Sequence, residues 1–220
     1  MKLTGSNIVR KKSRLVPFLI IAFFISLTVV SAVVITVRTV HRHLSNTPSV
    51  VALIEKWKTY DYPSIYEVSR QILQDRPYDG TVLIYHGYAS FYLAVAQTDT
   101  SLAQGYLDEA INSMRIALYK AGKQVRPQIE YMLGKAYFYK NTITSYYYAD
   151  LALKYLTLAK EHGYKADDAA EYRGLCYAAL GNYMESIAAF TEALLVRESD
   201  SLLLSIAEQY YKAGQSAAAK

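Results

Sequence analysis

The side chains that could do covalent or metal chemistry are few: one cysteine and four histidines. A single cysteine, Cys176, excludes an intrachain disulfide and a multi-cysteine zinc site, and its apolar neighbours predict packing rather than nucleophilic catalysis. His41 and His43 have a spacing that could suggest a metal, but no carboxylate or cysteine lies near them. His86 is predicted to be a core histidine, and His162 to stand near the last carbonyl groups of a helix. Because the sequence also lacks phosphate-loop, HExxH and GxSxG motifs, we predict no enzyme, no metal and no cofactor.

The charge of the chain is distributed unevenly. Lys and Arg number 24 against 19 Asp and Glu, which gives a formal net charge of +5. Residues 1–45 hold seven of the basic residues and no acidic one, so the remainder is slightly acidic. A protein that binds phosphate backbones needs a basic surface on its folded domain. The sequence therefore argues against nucleic acid as a partner.

An apolar segment near the N-terminus has the length of a membrane span. Residues 15–37 carry no charge, and as a helix these 23 residues would extend roughly 35 Å, enough to cross a hydrocarbon core. Five basic residues precede the segment, whereas only Arg38 and Arg42 follow it closely. The positive-inside rule then predicts a single-pass anchor in the cell membrane, with residues 1–14 in the cytoplasm. The body of the chain would be extracytoplasmic, and periplasmic in a bacterium.

A cleaved signal peptide is the alternative for this segment. Val30, Ser31 and Ala32 offer small residues at a possible cleavage site. The apolar run continues past them to Val37, which is longer than an ordinary signal core and favours an uncleaved anchor. Residues 38–45 are then a linker to the body.

The body shows self-similarity in a helical pattern. Its apolar residues recur with helical period, and alternating strand patterns bounded by hairpin turns are lacking in the sequence. Three stretches place a glycine early in a helix, and each is followed by a second stretch carrying small, large and small residues at spacings of four and three. The glycines are Gly87, Gly134 and Gly174, and the second sets are Ala110/Met114/Ala117, Ala152/Leu156/Ala159 and Ser186/Phe190/Ala193.

These spacings predict stacked helical hairpins. Small residues allow two antiparallel helices to approach closely, and the large residue of the second helix is expected to fill the gap between one hairpin and the next. A single hairpin cannot bury its apolar face alone, so the units must stack. The prediction is an all-α helical-hairpin solenoid preceded by a single transmembrane helix.

The pattern resembles the tetratricopeptide (TPR) repeat over about 175 of the 220 residues. The stretch GLCYAALGNYMESIAAFTEAL within residues 167–200 carries the closest resemblance. An earlier unit at residues 46–79 is degenerate, because Ile65, Ser69 and Ile72 depart from the small–large–small order. We place the array at residues 46–220, and the last unit is half a repeat. The units start near residues 46, 80, 127, 167 and 200.

Some spacings exceed the family period of about 34 residues. We attribute the excess to insertions between paired helices at residues 96–104 and 141–148, expected as loops. Tyr137, Tyr177 and Tyr210 take the same repeat position and are predicted to point into the core. A generic alanine-rich helical bundle is the alternative to a repeat array.

The resemblance also implies a candidate binding face, because the first helices of TPR hairpins line a concave side. The 22 tyrosines exceed what core packing needs, and tyrosine gives large contact area at low entropy cost. Lys135 is the only cation there, so the family's carboxylate clamp of Lys, Asn and Arg is not assembled. In the alternative interpretation, the rings pack against the inserted segments. The predicted face is an open groove with exposed rings, formed by Tyr88, Phe91, Tyr92, Tyr131, Lys135, Phe138 and Tyr139.

Function follows here mainly from the resemblance, since TPR arrays are typically interaction modules. The leading hypothesis is a membrane-anchored adaptor or assembly factor that binds another protein in a cell-envelope complex through the aromatic groove. The alternative is a periplasmic component that holds an apolar small molecule or lipid in the concave channel. A closed apolar cavity would favour the ligand, and an open groove would favour the protein. The oligomeric state is left open.

Overall fold

The computed structural model describes residues 15–44, 48–144 and 147–218, with the side chains of residues 15–20, 22, 39–44 and 215–218 outside this description. Every regular element within these residues is a helix, in agreement with the all-α prediction. The helices are α1 (Leu15–Leu44), α2 (Val50–Lys58), α3 (Tyr62–Asp75), α4 (Gly80–Ala96), α5 (Thr100–Lys120), α6 (Arg126–Ile143), α7 (Ala149–Glu161), α8 (Ala169–Ala179), α9 (Tyr183–Leu194) and α10 (Asp200–Ala218).

The chain divides into two units between Thr47 and Pro48, and α1 belongs to the first. Its described side chains are all exposed and most of them are apolar, with Ile35 at 64% and Phe23 at 63% of full exposure. Among the residues whose side chains are described, none of the helices combines the length and the hydropathy of a membrane span. The predicted span at residues 15–37 falls partly outside that set, and the predicted segment 1–14 falls wholly outside it.

The second unit begins its helices with side chains that accept backbone hydrogen bonds. Asp61 accepts from the amide of Ser64 at 3.2 Å, and Asp79 accepts from the amide of Val82 at 3.2 Å. These carboxylates satisfy amides that have no partner inside the helix. Gly181, with a φ of 76°, makes the turn between α8 and α9, a conformation that glycine adopts without strain.

Antiparallel neighbours pair along this unit in chain order. Hairpin one is α2 with α3, hairpin two α4 with α5, hairpin three α6 with α7, and hairpin four α8 with α9. Each second helix also packs on the first helix of the next hairpin, and α9 packs on α10. The buried side chains between these helices form the core of a helical-hairpin array, as the repeat pattern predicts.

Three hairpins are closed by contact between a glycine and a large residue. A Cβ atom on Gly87 would stand 2.6 Å from Met114 Cγ, and one on Gly174 would stand 2.6 Å from Phe190 Cδ1. These distances are shorter than van der Waals contact, so only glycine fits the packing as it stands. The predicted close approach is confirmed. One detail was wrong. The large residue packs against the glycine of its own hairpin, whereas we expected it to fill the gap between that hairpin and the next.

Two other expectations need correction. Of the loop expected at residues 96–104, only residues 97–99 join α4 to α5; residue 96 ends α4, and residues 100–104 begin α5, where Ala103 is buried. Tyr210 is 58% exposed, although Tyr137 at the same repeat position is buried as predicted. The reason is that α10 has no paired second helix among the described residues, so nothing there covers Tyr210.

Candidate partner-binding face

Successive first helices bring the predicted site residues together. On α4, Tyr88, Phe91 and Tyr92 follow Gly87 by one, four and five positions. At about 100° of rotation per residue, these positions lie to one side of the glycine and therefore beside the contact with α5. The Phe91 ring of α4 packs edge-on against the Tyr139 ring of α6 at 5.5 Å between centroids. We call the seven residues the inner aromatic face: Tyr88, Phe91, Tyr92, Tyr131, Lys135, Phe138 and Tyr139.

The inner aromatic face is more buried than an open groove. Tyr88, Phe91 and Tyr131 retain only 4%, 2% and 7% exposure, so the expectation of exposed rings was wrong for these three. The other four residues, Tyr92, Lys135, Phe138 and Tyr139, are half-buried. The cause is contact between rings of neighbouring hairpins, which removes apolar surface from water.

Two rings that pack against the inner aromatic face were not predicted from the sequence. Trp57 of α2 lies 5.9 Å from Tyr88 and 6.4 Å from Tyr92 between ring centroids, and Tyr62 stacks on Tyr92 at 4.3 Å. A signal for Trp57 was present, because it occupies the same position in its repeat as Phe91 in the next. The sequence carried no comparable signal for Tyr62, which is the first residue of a second helix.

Lys135 is the one cation of the face, and its charge is compensated. Its Nζ donates to Asp168 Oδ2 at 3.0 Å, and it lies 4.9 Å from the ring centroid of Tyr172 on α8. The Tyr131 hydroxyl also donates to Asp168. Burial, and then the Asp168 carboxylate, raise the pKa of Tyr131 above its ordinary value, so the hydroxyl keeps its proton. The surface near Lys135 is therefore almost neutral and does not attract a free carboxylate strongly.

Hydroxyl groups give the face its polar character. The Tyr139 and Tyr172 hydroxyl oxygens lie 3.3 Å apart. The Tyr88 hydroxyl is buried and has no hydrogen-bond partner among the described residues. Burial raises the pKa of Tyr88, so it remains a neutral donor. An unsatisfied buried donor costs about 1–3 kcal/mol. An acceptor brought by a bound molecule would remove that cost if it reached this hydroxyl.

A polar cluster beside the face resembles a hydrolase triad in composition only. His86 Nδ1 lies 2.8 Å from Ser69 Oγ, and His86 Nε2 lies 3.5 Å from Glu109 Oε2. The Ser69 hydroxyl donates to the Tyr66 carbonyl at 2.9 Å, so its proton is directed at that carbonyl and the histidine does not activate it. Ser69 is also completely buried. The cluster therefore joins α3, α4 and α5 structurally, in keeping with a core role for His86.

The remaining reactive residues are also engaged in packing or pairing. Burial raises the pKa of the Cys176 thiol to about 12, which disfavours the nucleophilic thiolate. His162 Nδ1 lies 2.6 Å from the buried carboxylate of Glu130, a partner that the sequence did not suggest. Among the described residues, no group of three His, Cys, Asp or Glu side chains is placed to hold a metal ion. The side chains of His41 and His43 lie outside that description.

Neither a protein-family model nor a curated protein matches the chain. Solved structures do. The structures entitled "MamA AMB-1" and "MamA MSR-1" are each 20% identical with a TM-score of 0.59; they cover 74% of this chain and 79% and 83% of their own. TTC0263, a thermophilic TPR protein of Thermus thermophilus, is 18% identical with a TM-score of 0.50, over 75% of this chain and 81% of its own. The chain thus has a TPR-like, all-helical fold.

Proposed function

We propose that this protein is a membrane-anchored interaction scaffold whose inner aromatic face binds another protein. The observation that carries the proposal is the layering of that face. Buried rings, among them Tyr88 and Phe91, support half-buried rings that still reach solvent, namely Tyr92, Phe138 and Tyr139. Aromatic residues in this arrangement give a partner a large and fixed contact area.

The packing of the rings favours tight binding of a partner. Tyr92 is held by a stacked Tyr62, and Phe138 packs edge-on against Tyr172 at 5.0 Å. A ring that is already fixed loses little conformational entropy when a partner covers it. Because Lys135 is paired with Asp168, the suitable partner is an apolar or aromatic segment rather than an acidic chain end. The same ring contacts occupy the inner side, which speaks against the alternative of a lipid held in a concave channel.

Anchoring and topology are part of the same proposal. The support comes from the 23 uncharged residues at 15–37 and from the five basic residues that precede them against two that follow closely. On this basis the array lies outside the cytoplasm, in the cell envelope. A scaffold held at a membrane meets partners that are confined to the same surface.

Site-directed photocrosslinking in intact cells tests the proposal on the full chain. A photoreactive phenylalanine replaces Tyr139 on the face or Tyr119 as the control, since Tyr119 is 88% exposed and lies on α5. We expect a discrete protein crosslink at position 139 and none at position 119. The double variant Tyr92→Ala/Phe138→Ala should then lower partner capture by about thirtyfold or more, since one such anchor alone is worth about 2 kcal/mol.

The melting temperature of the same double variant separates a binding role from a packing role. Binding rings that are half-buried leave most of the core intact, so we expect a modest change in melting temperature together with a large loss of capture. A large fall in melting temperature with capture intact would show that these rings are core and that the partner binds elsewhere.

A further inference from the structure

The last helix, α10, carries apolar residues over more than the side that packs on α9. Leu202 and Gln209 lie on the packed side and are buried. The adjoining side, described as far as Gly214, is apolar and open to solvent, with Leu203 at 50% and Tyr210 at 58% exposure. This side of α10 is called the open stripe. Its members are Leu203, Leu204, Ala207, Tyr210, Tyr211 and Gly214.

The repeat pattern shows what this surface corresponds to. Ala207 and Tyr210 stand at the positions that Gly174 and Tyr177 occupy in hairpin four. In that hairpin, the position of Gly174 lies directly against Phe190 of the second helix. The open stripe is therefore the surface that each preceding first helix uses to bind its second helix. Within residues 48–144 and 147–218, no helix covers it.

We propose that the open stripe binds the open stripe of a second copy of this chain. A two-fold symmetric contact must be self-complementary, because if one residue of the first copy contacts a given position of the second, the reverse contact is also formed. The order Leu203, Ala207, Tyr210, Gly214 alternates large and small residues. When two such helices pack antiparallel about a point between residues 208 and 209, Leu203 faces Gly214 of the second copy. In the same register Ala207 faces Tyr210 of the second copy.

Size complementarity of this kind is what the other helix pairs of the chain use. Gly134 receives Leu156, and Gly87 receives Met114, so a small residue opposite a large one is the chain's recurring packing solution. The open stripe presents on α10 the surface that the first helices of the hairpins use to pack on their second helices. Its small residues let the two helix backbones approach closely, and its large ones fill the space beside them. Contiguous apolar surface that remains exposed is typical of interaction sites.

Sedimentation equilibrium of the full chain tests the proposal, in a non-ionic detergent that is matched in density to the solvent and covers the apolar side chains of α1. We expect a dimer at micromolar concentrations. Ala207→Lys or Tyr210→Glu alone should raise the dimer dissociation constant by about tenfold or more. In the double variant Ala207→Lys/Tyr210→Glu, the new cation of one copy faces the new anion of the other, so association should be tighter than in either single variant.

A control variant and circular dichroism separate a loss of dimerisation from a loss of folding. Tyr119→Glu places the same charge on an exposed tyrosine away from α10 and should leave the dimer unchanged. All variants should keep the helical circular dichroism of the wild type, because Ala207 and Tyr210 are exposed. A monomeric wild type, a dimer that survives both single variants, or a double variant no tighter than the singles would each overturn the proposal. A monomer that instead binds a helical peptide of sequence 183–195 would assign the stripe to a second helix from another protein.

Discussion

Hairpin one and the three hairpins that follow it close their helix pairs with opposite size patterns. In hairpins two to four, a glycine on the first helix meets a large residue on the second, as Gly134 meets Leu156. At the same repeat positions, hairpin one carries Leu53 on its first helix and Ser69 on its second. Both residues are completely buried. The large member has moved to the first helix and the small member to the second.

The difference indicates that large and small residues can be exchanged between the two helices of a hairpin at these repeat positions, so a glycine is not required on the first helix. Interiors are close-packed, so a larger side chain on one helix is accommodated when its counterpart shrinks. In hairpin one the exchange also gives the small position a hydroxyl. Ser69 Oγ lies 2.8 Å from His86 Nδ1 and thereby links hairpin one to hairpin two, a contact that the repeat pattern of the sequence does not reveal.

The largest loss of stability is expected at Leu53, the large residue on the first helix of hairpin one. Leu53→Ala should leave a cavity in hairpin one and lower the free energy of unfolding by about 2–5 kcal/mol. Urea unfolding followed by the fluorescence of Trp57, the one tryptophan of the chain, measures this change within α2. Ile54→Ala is the control, since Ile54 is 40% exposed. Equal costs for the two variants would show that hairpin one is not closed around Leu53.

An intermediate effect is expected at the glycine of hairpin three. A Cβ on Gly134 would stand 3.0 Å from the backbone nitrogen of Leu156, which cannot move independently of its helix. Gly134→Ala should therefore lower the free energy of unfolding by about 1–3 kcal/mol through overpacking. Gly105→Ala is the matched control inside α5, with open space around it. That change should stabilise the helix by up to about 1 kcal/mol, and a stabilising Gly134→Ala would contradict the close approach.

The smallest effect concerns pH at the link between hairpins one and two. Burial is the main cause that lowers the pKa of His86, and Glu109 opposes it. As the pH falls below the ordinary value of 6.5, the unfolded chain therefore takes up a proton that the folded chain does not. Stability from the neutral ring is present above pH 6.5 and declines below it by at most about 1.4 kcal/mol per pH unit.

Urea unfolding at pH 7.5 and 5.5 checks this dependence. The wild type should lose more stability between the two conditions than His86→Gln, which has no titrating ring at this position. The groups around the ring are Ser69 and Tyr66 from α3, Arg70 also from α3, and Glu109 from α5. A gain in stability on acidification that His86→Gln abolishes would mean that the charged ring pairs with Glu109 in the folded state.

The paired helices could be predicted from the sequence, whereas the burial of the rings could not. The spacing between Gly174 and Phe190 reports a contact inside one hairpin, where helix geometry fixes which residues face each other. The burial of Tyr88 depends on Trp57 from the preceding hairpin, and no local spacing reports how hairpins stack. The prediction that Tyr210 is buried was wrong for a related reason. Its repeat position predicts a core residue, but a core position is buried only when a neighbouring helix is present.

Asp168 binds Lys135 and Tyr131 of hairpin three instead of capping the N-terminus of its own helix, α8. It occupies the residue before α8 but makes no side-chain bond to that helix's amides, whereas Asp79 caps α4. A missing cap weakens a first turn by about 1 kcal/mol. The consequence is mechanical. The Asp168 carboxylate acts as a tie across the joint between hairpins three and four, because it binds two side chains of α6 and leaves the first turn of α8 without a side-chain cap.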